Sequence, residues 1–237
     1  MARTLDPEAH ATRRDVFLDA AQRLIQAKGY ERVSIQDLLD ATGASKGAFY
    51  HYFDSKTALL DAIIDRLVET GVARYDPVGA DPTRTALEKF ESFFTGLADY
   101  KAEQRDLILA TVETWLSDEN AIVREHFRRN LVGRLQPLLL DIVRQGVEEG
   151  VFHVTSPEAT ARVIVSMIQG MNEDATGLFL ALDAGTIPFE FLELRLTAYV
   201  EAFERILGVQ KGSIRFADPS VIRDWQRWSA DYRKDHA

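Results

Sequence analysis

Residues 34–56 read SIQDLLDATGASKGAFYHYFDSK, and the fold is decided here. Ser34 followed by Asp37 is a capping-box pattern, and Ile35, Leu38 and Leu39 form a short apolar stripe behind it. Gly43 ends that helix after about two turns, as glycine does past a helix end. Ser45 caps a second short helix, in which Phe49, Tyr52 and Phe53 recur at helical spacing. Two short helices joined at Gly43-Ala44 match a helix-turn-helix.

Upstream, Val16, Ala20 and Leu24, with Phe17, Ala21 and Ile25 beside them, mark a first helix that stops at Gly29. Downstream, a fourth helix begins near Ser55, with Leu60, Ile63, Ile64, Leu67 and Val68 facing inward. Tyr75–Pro82 holds two prolines and Gly79 and reads as a linker. Longer helices follow over about 83–100, 103–116 and 119–149, the last kinked at Pro137. Ser156-Pro157-Glu158 starts another that continues to about Leu182. Pro188 opens one that stops before Gly208, and Asp218-Pro219 opens a last one. Residues 150–155 alone have strand-like composition, and six residues do not make a sheet. The class is all-α. The domains expected are a helix-turn-helix head over 1–56, a connecting helix and linker over 57–82, a helical ligand-binding and dimerisation body over 83–210, and a helical tail over 211–237.

Composition narrows the function. The chain has 237 residues, 46% hydrophobic and 27% charged, so a packed core is expected rather than disorder. With no cysteine, disulfides, thiolate zinc sites and cysteine nucleophiles are excluded. The longest uncharged run is the ten residues Val163–Asn172, well short of the roughly 20 that cross a bilayer. The first residues carry Arg3, Asp6 and Glu8 and read as no signal peptide, so a cytoplasmic protein is expected. Net charge is −9, yet residues 1–56 hold eight Lys/Arg against eight Asp/Glu. A neutral head on an acidic body places any phosphate contact in the head. His10, His126, His153 and His236 have no partner at metal-ligand or triad spacing, no cofactor motif is present, and no nucleophile–base pair has recognisable spacing. Neither an enzyme nor a metal site is expected.

In a helix-turn-helix the second helix enters the DNA major groove. With Phe49 and Phe53 inward, Lys46, Gly47, Tyr50 and His51 lie outside. Ser45 and the helix-start N–H groups suit phosphate oxygens, Gly47 lets the backbone approach closely, and Lys56 sets a cation at the next helix. Two simpler uses stay open: Tyr50 packing on the first helix, and His51 as an idle surface residue.

Residues Val16–Val68 resemble the DNA-binding domain of the tetracycline-repressor (TetR) family of bacterial transcription regulators. Gly43-Ala44-Ser45-Lys46-Gly47, Phe49-Tyr50-His51-Tyr52-Phe53 and Lys56 carry the resemblance. It implies a homodimer in which each subunit joins a three-helix DNA-binding head to a larger helical ligand-binding body. It also implies phosphate contacts from Ser34, Ser45, Tyr50, Tyr52 and Lys56. Base-facing roles fall to Gln36, Lys46, Gly47 and Ala48, with His51 suited to either. One departure stands out: between Arg32 and Arg66 the only cations are Lys46 and Lys56. No arginine on the second helix can take a guanine in bidentate fashion.

The body offers polar residues on apolar stripes. Val165, Ile168, Asn172 and Phe179 share one helical face, with Gln169 beside it. A buried amide without a partner costs about 1–3 kcal/mol, so Asn172 is expected to meet a ligand, a water or another subunit. Phe93, Phe94, Trp115, Met167, Gln169, Met171 and Asn172 are the candidate lining of a pocket for a largely apolar small molecule; core filling and dimer packing are the alternatives. In the tail, Trp225, Trp228 and Tyr232 recur at helical spacing and are expected to dock on the protein itself. The reading is a ligand-responsive DNA-binding repressor with operator DNA, a small molecule and itself as partners. Its rival is a helical small-molecule-binding or interaction protein without specific DNA binding.

Overall fold

The structure is a computed structural model, and it describes residues 7–104, 106–108, 110–111, 118–183 and 185–215. Among these residues the regular structure is entirely helical. The first four helices are α1 (Pro7–Lys28), α2 (Ile35–Thr42), α3 (Lys46–Tyr52) and α4 (Lys56–Ala73). After a single turn at Asp76–Gly79 come α5 (Ala86–Glu103), short helical stretches at 106–108 and 110–111, and a 3-10 turn at Asp118–Asn120. The longer helices α6 (Ala121–Glu148), α7 (Pro157–Asp183) and α8 (Phe189–Leu207) complete the series. The chain divides into two compact units, residues 1–70 with 103–130 and residues 71–102 with 131–237. Trp115 and the 216–237 tail, with Trp225, Trp228 and Tyr232, lie outside the described residues.

The first unit is organised by a buried aromatic group. Phe17 packs edge-on against Phe49 at 5.7 Å and against Phe53 at 6.2 Å, and Phe49 meets Phe53 at 5.6 Å. Leu18, Ile25, Leu38, Leu59, Leu60 and Ile63 surround them, all at most 2% exposed. Each such side chain contributes about 1.5–3 kcal/mol through burial, so short helices of marginal stability alone are held by packing. The segment 103–130 joins this unit through buried Leu107 and the Tyr30 N–H, which donates to the Ala110 carbonyl at 3.4 Å.

In the second unit, Phe90 and Phe94 of α5 pack against Phe203 of α8 at 5.7 and 5.3 Å. Leu135, Leu139, Ile142 and Val143 of α6 and Ile164, Val165 and Ile168 of α7 complete the core. The chain reverses at Gly150, in the left-handed region at φ 71°, and Phe152 folds back against Gly146. A left-handed residue costs any side chain except at glycine. Glu204, buried at 3% exposure, accepts the Gly212 and Ile214 N–H groups at 2.7 and 3.1 Å and so fixes the chain beyond α8.

One helix boundary changes. α5 starts at Ala86 rather than near Thr83, because Thr85 and Glu88 form a capping box: the Thr85 N–H donates to Glu88 Oε2 at 2.8 Å and the Glu88 N–H to Thr85 Oγ1 at 3.3 Å. Glu149 also accepts the Ala86 N–H at 2.9 Å. α6 is one helix that passes through Pro137. Residues 150–155 form no strand. On α8 the chain's own core takes Leu192 and Phe203, whereas Phe191 and Leu194 stay exposed.

Candidate nucleic-acid interface and ligand body

The turn between α2 and α3 is fixed at both ends by the backbone. Ser34 Oγ accepts the Asp37 N–H at 3.1 Å, and the Asp37 carboxylate accepts the Ser34 N–H at 2.7 Å, closing the box read from the sequence. Lys28 reaches the same carboxylate at 2.8 Å. This lysine first, then the Ser34 hydrogen bonds, hold Asp37 far below the usual carboxylate range. Gly43 takes φ 65° and donates its N–H to the Leu39 carbonyl, ending α2 in the left-handed conformation. Ser45 then caps α3 by accepting the Ala48 N–H at 3.2 Å.

That frame sets which side of α3 is free. Phe49 is 0% exposed while Tyr50 is 44% exposed, and Ser45, Lys46, Gly47 and His51 are exposed with it. Tyr50 rests its ring edge on Phe49 at 5.4 Å, and the Lys46 ammonium stands 6.0 Å from the Tyr50 ring centre. Cation and phenol thus form one outward patch. Ala48 and Tyr52 are half-buried; the Tyr52 ring lies 6.0 Å from Phe17 and 5.0 Å from His51. A Cβ at Gly47 would find no atom nearer than Ser45 Oγ at 4.0 Å, so the protein itself leaves the space above this glycine open.

The other head candidates sit on neighbouring elements. Ser34 and Gln36 are exposed at the start of α2, where the Gln36 amide donates to Asp40 at 2.8 Å. Lys56, half-buried at the start of α4, donates to the Glu31 carbonyl at 3.2 Å and lies 4.1 Å over the Tyr30 ring. Burial pulls its pKa below the ordinary lysine range, opposed by Glu31.

His126 acquires partners that sequence spacing conceals. Its Nδ1 lies 2.6 and 2.8 Å from the two Asp61 oxygens, and Asn130 donates to Asp65 at 2.6 Å. Asp61, Asp65 and His126 present atoms within 4.8 Å of one another. The expectation that this histidine lacks a partner is corrected: i, i+4 pairs on α4 and α6 meet only after folding, from 65 residues apart.

In the second unit, Phe93 and Phe94 are buried at 4% exposure within the aromatic run, Met171 is buried at 9%, and Met167, Gln169 and Asn172 are half-buried. Asn172 does not await a ligand, a water or a subunit for its bond: the Lys101 ammonium donates to its Oδ1 at 2.6 Å. Burial alone pushes Lys101 down to about 8. Sequence reading missed this residue, although the spacing shows it: Phe90, Phe94, Leu97 and Lys101 recur every three or four positions on one stripe of α5. Tyr75 is 6% exposed, and its hydroxyl has no hydrogen-bond partner among the described residues. Among the described residues no helix is long and apolar enough to cross a membrane.

Two family models match the chain: bacterial regulatory proteins of the tetR family over residues 17–63, and the tetracyclin repressor-like C-terminal domain over 98–179. Together they take in more than half of its length. The HTH-type transcriptional repressor KstR2 of Rhodococcus jostii (strain RHA1) is 26% identical over 157 residues, which are 62% of this chain and 71% of that protein. The HTH-type transcriptional regulator EthR of Mycolicibacterium smegmatis is 34% identical over 97 residues, 39% of this chain and 45% of that protein. A TetR transcription regulator from Haloarcula marismortui superposes with a TM-score of 0.57 at 20% identity, covering 95% of this chain and 98% of that one, and so shares the fold. The chain belongs to the TetR family of bacterial regulatory proteins.

Proposed function

We propose that this DNA-binding transcriptional regulator is a cytoplasmic, homodimeric repressor whose α3 reads an operator and whose second unit takes the small molecule that releases it. The observation that carries the proposal is the division of α3: Phe49 is wholly buried, and Lys46, Gly47, Tyr50 and His51 are all exposed beside it. Ser34, Ser45, Tyr50, Tyr52 and Lys56 hold phosphates, and Gln36, Lys46, Gly47 and Ala48 face bases, with His51 available to either. Since Lys56 is anchored on Tyr30 and Glu31, it presents its charge in a fixed place.

Exposed Phe191 and Leu194 on α8 and Val163 on α7 support pairing of these helices with a second copy, because apolar surface of this kind is covered in assemblies. Two heads then address half-sites about 34 Å apart, one turn of DNA. A ligand that prefers the non-binding state lowers operator affinity by about 5–150-fold, and operator lowers ligand affinity by the same factor.

A fluorescence-anisotropy titration of DNA from upstream of the coding region tests the reading. Tyr50→Ala and Gly47→Ala abolish the preference for a specific site while helical content stays unchanged. Specific binding at wild-type strength in the Tyr50 variant removes α3 as the reading helix, and no specific binding by the wild type favours the helical small-molecule-binding protein.

A further inference from the structure

Asp61 and Asp65 stand one turn apart on α4, the spacing that sets two side chains on one helix face. Both are half-buried, and like charges at this spacing oppose each other. Among the described residues neither carboxylate meets a lysine or an arginine. Neighbouring cations are engaged elsewhere: Arg66 reaches Asp19 at 2.7 Å, and Arg128 binds Glu125 at 2.7 Å. What faces the two aspartates is α6. His126 Nδ1 lies 2.6 and 2.8 Å from the Asp61 oxygens, and the Asn130 amide donates to Asp65 Oδ1 at 2.6 Å. All four residues belong to the first compact unit, and none stands on α2 or α3.

A brace between the two helices needs only His126 and Asp61. Asp65 adds a second anion to that brace and brings only a neutral amide to hold it, so the negative charge is left in excess. A dication balances both carboxylates at once. Carboxylate oxygen and imidazole nitrogen are ligands of divalent first-row ions. The donor atoms lie no closer than 2.6 Å and all within 4.8 Å of one another. These limits bracket the separation of about 3.4 Å between ligand atoms around a tetrahedral ion with bonds of about 2.1 Å. Asn130 fixes one Asp65 oxygen and leaves the other for the ion, as outer hydrogen bonds do around metals. The His126 side chain is 42% exposed, which gives an ion a way in and leaves room for a water as fourth ligand.

We infer that Asp61, Asp65 and His126 form a binding site for a divalent transition-metal ion of the Zn2+ class, positioned by Asn130. The site replaces the metal-free expectation of the sequence, in which His126 stands alone, and it does not depend on the regulatory reading above. An ionised Asp61 accepts a hydrogen bond from Nδ1–H, so the ion enters by displacing that proton, and Nδ1 of the neutral imidazole becomes its ligand. The ion then ties α4 to α6 through three bonds in place of one hydrogen-bonded pair. Mg2+ suits the set poorly, since it demands octahedral oxygen ligands and keeps its waters.

The test uses the full chain, stripped of metal with a chelator and titrated with Zn2+ by calorimetry and with Co2+ by visible absorption. Expected is a saturable site for Zn2+, a thermal midpoint that rises with Zn2+ concentration, and a Co2+ spectrum of low coordination number that Zn2+ abolishes. Asp65→Asn keeps the shape of the side chain and the contact between His126 and Asp61, so it folds as the wild type does, and it weakens Zn2+ binding by about tenfold or more. His126→Gln does the same and removes the Co2+ spectrum; should that variant unfold through loss of the Asp61 contact, Asp65→Asn decides alone. His153→Gln, at an exposed histidine in the second unit, leaves the affinity unchanged and controls for stray binding to surface imidazoles. No Zn2+ bound by the wild type, wild-type affinity in Asp65→Asn, an equal loss in His153→Gln, or displacement of Zn2+ by Mg2+ at the same concentration each overturns the inference.

Discussion

Replacing Lys101 by methionine isolates the energetic consequence of a half-buried cation with no ligand present. Burial takes its pKa from the ordinary 10.5 to about 8. At about 1.36 kcal/mol per pH unit, holding the charged form inside costs about 3 kcal/mol wherever both states are protonated. The folded value lies below the unfolded one. Between about pH 8 and 10.5 the unfolded chain therefore carries more protons, and stability rises with pH across that window. Methionine fills a similar volume and does not titrate. Subtracting the two stability profiles removes every other titrating group, and the wild type gains about 2.5 kcal/mol on the variant between about pH 7 and 10. Near neutral pH the variant is the more stable by a smaller margin, about 1–2 kcal/mol, because Asn172 Oδ1 loses the Lys101 donor. Guanidinium unfolding followed by circular dichroism, at fixed protein concentration so that assembly does not shift the midpoint, reads both quantities. Parallel profiles over this pH range would refute the reasoning and place the Lys101 ammonium in water.

Ser34→Ala removes the acceptor for the Asp37 N–H and lowers thermal stability by about 1 kcal/mol. Asp37 is depressed in the folded state, so its contribution is present above the ordinary carboxylate range and lost as pH falls; Asp37→Asn flattens the acid limb of a stability–pH curve, and an unchanged limb counts against the Lys28 and Ser34 contacts. Gly146→Ala places a Cβ 2.0 Å from Phe152 Cδ2 and destabilises by about 1–3 kcal/mol, with partial recovery in the Gly146→Ala, Phe152→Leu double variant by chemical denaturation. Leu194→Glu, at a position 68% exposed, leaves the fold of each copy intact and shifts sedimentation toward the monomer; an unshifted boundary excludes this face of α8 from the dimer.

The all-α class and the head were legible in the chain because their determinants are local. Ser34 and Asp37 are three residues apart, Gly43 and Ser45 frame one turn, and Phe49 of α3 and Phe53 at its C-cap are four residues apart. Capping, left-handed glycine and helical periodicity act within four residues, so a reader of the sequence meets all their parts together. The Thr85–Glu88 box was equally local, and the same signature marks it. Tertiary structure decided the pairings that span the chain. His126 finds Asp61 65 residues away, and Lys101 finds Asn172 71 residues away. Asn172 was legible as a polar residue on an apolar face, but its partner was not, because a hydrogen bond needs two groups within about 3 Å and sequence distance sets no such limit. Pro188 and Gly208 likewise bounded α8 without saying that Leu192 and Phe203 fill the chain's own core while Phe191 and Leu194 remain outside. Periodicity fixes which residues share a stripe; what covers that stripe depends on the packing of helices distant in sequence, and so does whether a charge set there meets water, a counter-ion or a ligand.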